Sequence, residues 1–109
     1  MASVTREDSA RAAWVRLHDH LDAIRKETGA ELLAYPQPAT ECDLHYRDLL
    51  ERRRDVNAEL SALRDRPPPG APDAAWRAWL KARAAASAFA DDGLRREIAR
   101  LLAADEETL

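Results

Sequence analysis

Between positions 42 and 63, Cys42, Tyr46, Leu49, Arg53, Val56, Leu60 and Leu63 recur at alternating spacings of four and three. Only an α-helix sets side chains so spaced on one line, because 3.6 residues per turn bring i, i+3, i+4 and i+7 to the same face. The line is a coiled-coil-like seam, so this helix packs lengthwise on another helix. Arg53 interrupts it with a charge. A guanidinium buried in a seam costs several kcal/mol unless it is paired and hydrogen-bonded. Two readings follow. Arg53 snorkels to water or pairs with Asp19, Asp22 or Glu97; or it forms an anion site inside the bundle, where its fork binds a carboxylate or phosphate.

A matching apolar line, Trp14, Leu17, Leu21 and Ile24, predicts a first helix over residues 6–28 or on to 34. Thr5 or Ser9 is its candidate start, with Asp8 three residues after Thr5. Gly29 ends it with Arg25 and Lys26 in the last turn, or it continues and stops before Pro36. Residues 35–39, with Pro36 and Pro38, form a proline-rich connector. Thr40 is then a suitable N-cap for a second helix over 41–66. Residues 67–72 hold four prolines and read as a stiff polyproline-like connector. Asp73 opens a third helix, 73–90, whose best line is Ala75, Trp79, Ala82, Ala86 and Phe89. Asp91-Asp92-Gly93 breaks the chain before a short helix, 93–104, carrying Leu94, Ile98, Leu101 and Leu102. The acidic tail from Asp105 is expected to fray.

The expected fold is all-α: an antiparallel hairpin of seamed helices plus one or two shorter C-terminal helices, a small helical bundle forming a single domain over 1–109. Aromatics at 6% and only three glycines suit helices better than a sandwich or barrel. A turn centred near Pro36 pairs Trp14 with Leu60, Leu17 with Val56 and Ile24 with Leu49. It sets Arg53 opposite His20 and Leu21.

The formal net charge of −3 gives no basic face for nucleic acid. Arg52-Arg53-Arg54, flanked by Glu51 and Asp55, reads as a salted helical face. The preference for arginine over lysine reads as the coding bias of a GC-rich, bacterial-like composition. One cysteine allows no intramolecular disulfide and fits a reducing compartment. No apolar run approaches the ~18 residues a membrane span needs, and the polar N-terminus is unlike a signal peptide. The expectation is a cytoplasmic protein that meets neither membrane nor nucleic acid.

Few residues suggest chemistry. Cys42 and His45, or Glu41 and His45, share a helix face but make at most half a metal site. His18 and His20 are two apart and point in different directions. No Glu-x-x-His pair, Gly-rich phosphate loop, zinc motif or nucleophile elbow is present. No metal or cofactor is expected. Trp76-x-x-Trp79 and Phe89 are a large apolar area for an alanine-rich helix. They are core residues or, since tryptophan is enriched at interface hot spots, anchors for a partner.

Leu49-Leu50-Glu51-Arg52-Arg53 on a long helix, Arg64 further along it, the prolines from 67 and Asp73 opening the next helix form a pattern over residues 42–73. It resembles the central part of the all-helical chorismate mutases. The resemblance implies a small helical enzyme in which Arg53 and Arg64 hold substrate carboxylates. The chain departs from it at Trp76 and Arg77, where that family has an Arg-Glu pair. It departs again at Pro36, where the family has an arginine near the start of the long helix. The expected function is a non-catalytic interaction protein, either an accessory subunit of a larger complex or a homodimeric bundle, with Trp76, Trp79 and Phe89 at the partner interface. The alternative is the small enzyme or anion-binding domain that uses Arg53 and Arg64.

Overall fold

The computed structural model describes residues 6–36, 43–65 and 73–103, with side-chain surroundings given from Ser9 in the first segment and Ala74 in the last. They form four helices: α1 (Arg6–Leu33), α2 (Leu44–Arg64), α3 (Asp73–Ala86) and α4 (Asp92–Ala103). Thr5 and Thr40, candidate caps from the sequence, lie outside the described residues, as do Cys42 and the tail.

α1 buries Ala10, Ala13, Leu17, Leu21 and Thr28, with Trp14 and Ile24 half-buried on the same face. It does not stop at Gly29. A mid-helix glycine costs about 1 kcal/mol relative to alanine, but pairing with α2 carries the helix on: Tyr35, just past its end, lies against Tyr46 and His45. Arg25 and Lys26 are therefore mid-helix, and the last turn carries no basic residue.

α2 starts later than expected, because Asp43 is its N-cap. The Asp43 carboxylate accepts the Tyr46 N–H at 3.2 Å, satisfying one of the donors that every helix start leaves unpaired. Leu49, Val56, Leu60 and Leu63 of the seam are buried, and Tyr46 is half-buried. Arg53 is exposed, so it is no buried seam charge. Position 53 falls where only α1 and α2 meet. The seam there has water on both flanks, and a long stem carries the guanidinium over its edge.

The register also differs. The Trp14 indole N–H donates to the Leu63 carbonyl at 3.1 Å, so Trp14 meets Leu63 instead of Leu60. With α1 ending at Leu33 and α2 beginning at Leu44, the pairing moves about one helical turn along α2.

α3 presents a different face from the one its alanines suggest. Leu80 and Ala84 are buried and Trp76 is half-buried on that side, whereas Ala75, Ala82 and Ala86 are exposed. The stabilisation scales with apolar area removed from water, so the face with Trp76 and Leu80 wins over the alanine line. The helix ends at Ala86, before Phe89. Its last carbonyls are taken by Arg95, whose Nε donates to Ala84 O at 3.3 Å and Nη2 to Ser87 O at 3.1 Å. Asp91 caps α4 by accepting the Leu94 N–H at 2.7 Å. Asp92 and Gly93, expected in the break, thus lie in the first turn of α4, which buries Leu94, Ile98 and Leu102.

α1 and α2 pack as a long antiparallel pair, and α3 and α4 pack on α1 and on each other. The shared core takes α1 from Ala10 to Ile24 and α2 from Val56 to Leu63, together with Leu80, Ala84, Ala90, Leu94, Ile98 and Leu102. Polar ties fasten the α3–α4 turn to it. His20 Nε2 donates to the Phe89 carbonyl at 2.8 Å, and the Glu59 carboxylate accepts the Ala88 N–H at 3.1 Å. Arg16 pairs with Glu97 at 3.0 Å. Beyond the shared core the hairpin continues as a two-helix arm, 25–35 with 43–55, in which Thr28 and Leu49 are buried. Among the described residues, no helix is long and apolar enough to cross a membrane.

Candidate functional site

Three places carry side chains that the core does not absorb. The first is the free end of the arm. Leu33 is 91% exposed and Leu44 72% exposed, at the two ends of the same connection. Between them Tyr35 closes the hairpin. Its ring centroid lies 5.2 Å from that of Tyr46 and 5.7 Å from that of His45, and its hydroxyl donates to the Asp43 carboxylate. That hydroxyl, followed by the Tyr46 N–H, holds the Asp43 carboxyl below its ordinary value. The Asp43 acceptor in turn pushes the Tyr35 phenol up.

The clasp therefore fails at both ends of the pH scale. The lowered carboxyl contributes stability above about pH 4, the ordinary carboxylate value, and loses it as pH falls through the lower folded value. The raised phenol contributes below about pH 10 and loses it as pH rises through the higher folded value. Melting temperatures of the natural chain and Tyr35→Phe should differ most between these limits and converge in strong acid and strong base. A difference that stays constant across the range would mean the hydroxyl makes no such bond.

The second place is a polar groove on the flank of the hairpin, about 350 Å³ in volume, between His18, Asp22 and Arg25 of α1 and Asn57, Ser61 and Arg64 of α2, with Leu60 beneath. Both rows have spacings of four and three, so each lies on a single helix edge beside the seam. The His18 ring is stacked on Trp14, centroids 5.0 Å apart at 14°, and its Nδ1 lies 3.4 Å from Asp19 Oδ1. Asp22 accepts from Arg25 Nε at 3.0 Å and Nη2 at 2.7 Å, and Lys26 Nζ lies 3.2 Å from its other oxygen. Arg25 first and Lys26 second hold the Asp22 carboxyl below its ordinary value. Arg64 makes no hydrogen bond or ion pair with the described residues.

The third place is the start of α3. Trp76 and Trp79 stack with centroids 5.5 Å apart at 11°, and the Arg83 guanidinium lies 5.8 Å from the Trp79 ring. Both tryptophans, and Phe89, are half-buried and packed against the core.

Arg53 and Arg64 are both exposed on α2. They lie eleven positions apart, about 16 Å of helix, so they do not converge on one small ligand. Arg64 lines the flank groove with His18 and Arg25 instead, a grouping that the sequence reading missed. Its signal was the second line of polar residues beside each apolar seam. His45 is exposed beside Tyr35, while Glu41 and Cys42 lie outside the described residues. Among the described residues, no three His, Cys, Asp or Glu side chains gather as metal ligands would.

Comparison with protein-family models, curated proteins and solved structures returns no match. The functional reading rests on geometry alone.

Proposed function

We propose that this chain is a non-catalytic helical interaction protein, an accessory subunit of a larger complex or one half of a homodimer, which meets its partner at the free end of the α1–α2 hairpin. The observation that carries this reading is the exposure of Leu33, 91%, and Leu44, 72%, on an arm that runs about 13 Å past Ile24, the last α1 residue of the shared core. Two leucines at one tip, flanked by Tyr35 and His45, make an apolar centre. The charged residues of α2 beyond it, among them Asp48, Glu51, Arg52 and Asp55, form the polar rim that interfaces carry. The half-buried Trp76, Trp79 and Phe89 offer a second contact away from the tip, smaller because these rings already serve the core.

A photo-crosslinking residue at position 33 or 44, compared with one at exposed Ala99 of α4, tests this in the cells that make the protein. A discrete adduct from the tip and none from position 99 is expected. An adduct of twice the chain mass means a homodimer, and one of another mass means a subunit of a larger complex. If the tip gives no discrete adduct beyond the control, the reading is wrong.

A further inference from the structure

We propose that the groove between α1 and α2 is a binding site for a small organic phosphate, separate from the tip. Arg25 and Lys26 both pair with Asp22, so the groove and its rim hold three cations, Arg25, Lys26 and Arg64, against two carboxylates, Asp22 and the Asp19 beside His18. Arg64 reaches the groove with its fork unspent. Arg25 spends Nε and Nη2 on Asp22 and keeps Nη1. His18 is set by its stack on Trp14, with Nε2 unbonded among the described residues. Asn57 and Ser61 add an amide and a hydroxyl on the α2 side.

The donors of Arg25, Arg64, Asn57 and Ser61 come from both helices. A planar carboxylate, with two oxygens, would leave several of them unused. A tetrahedral phosphate has three terminal oxygens, each able to accept more than one hydrogen bond, and matches them better. The volume of about 350 Å³ exceeds that of phosphate alone and falls within the range of small-ligand pockets, about 300–1,000 Å³. The organic part would therefore lie over Leu60. The carbonyl end of α2 opposes an anion here. Its effect is reduced because the Trp14 indole occupies the Leu63 carbonyl and Arg64 sits in that last turn.

The test is a titration of the full chain with inorganic phosphate and then phenyl phosphate, followed by nuclear magnetic resonance of the His18 ring and the arginine Nε signals. It is run at about 0.1 M salt, where charges beyond ~10 Å are screened. Saturable shifts confined to His18, Arg25 and Arg64 are expected, with phenyl phosphate the tighter ligand. Arg64→Gln should weaken binding about tenfold or more, the effect of one charge-assisted hydrogen bond, with helicity unchanged because the side chain is exposed. Arg53→Gln, which removes an exposed arginine elsewhere on α2, should leave the affinity as it was. Non-saturating shifts, an equal response to acetate at matched ionic strength, or equal losses in the two arginine variants would each overturn the proposal.

Discussion

Leu17→Ala is expected to lower the unfolding free energy by about 3 kcal/mol, within the range of about 2–5 for a buried leucine cut to alanine. Leu17 is 1% exposed and belongs to the core shared by all four helices. It also lines the floor of a half-open cleft of about 80 Å³ with Leu21, Glu59, Leu63, Arg83 and Ser87. Truncation therefore removes transfer energy and leaves a cavity that the rigid helix faces fill only in part. A chain of this size holds about 5–15 kcal/mol in total, so the loss is a large share of its stability. Denaturant unfolding followed by circular dichroism should show a lower midpoint at an unchanged slope. Arg53→Ala is the control. Had Arg53 been a buried seam charge, its loss would matter; exposed, it should shift stability by no more than ~0.5 kcal/mol. A Leu17→Ala cost below ~1 kcal/mol, outside the range for a core leucine, would mean the four helices do not share a core at this level.

Trp14 should show the second largest effect, and its two variants separate two causes. Trp14→Ala removes an indole packed against the core and stacked on His18, and leaves the Leu63 carbonyl without the donor at 3.1 Å. The side chain is only half-buried, so about 3 kcal/mol is expected, the lower end for a large aromatic cut to alanine. Trp14→Phe keeps most of the apolar body and loses the N–H, so about 1 kcal/mol is expected, the usual net worth of one hydrogen bond. Equal losses in the two variants would assign the whole effect to the capping bond and none to packing.

Much of the architecture was legible because helical periodicity is a local property. The lines through Leu17 and Leu21 and through Leu49, Val56, Leu60 and Leu63 predict helices that pack lengthwise, and these residues are buried. The α3 face was read only in part because alanine spacing is permissive: Ala75, Trp79, Ala82 and Ala86 form a line as regular as Trp76, Leu80 and Ala84, and of the first line Trp79 packs against the core while its alanines are exposed. The end of α3 was misread because its decisive partner is remote. Arg95 and Glu59 hold the 84–88 segment in its turn, and neither adjoins it in sequence. The candidate site was less legible still. Arg53 and Arg64 share one face of α2, but the His18 and Arg25 that line the groove with Arg64 belong to α1.

What the sequence determined on its own is the all-α class, the approximate extent of the helices, and the hairpin of α1 with α2. Each follows from spacing, caps and prolines within one or two turns of the residue concerned. That two shorter helices follow, where the sequence allows one or two, is decided by the structure. Only the tertiary structure decided the register of that hairpin, the exposure of Arg53, and the grouping of Arg64 with His18 and Arg25. A seam slides by a whole turn while keeping every apolar residue on its face. The balance among the available registers is set by cross-helix contacts such as Trp14 with Leu63 and Tyr35 with Asp43, and by where α3 and α4 cover the pair and where they leave it open to water.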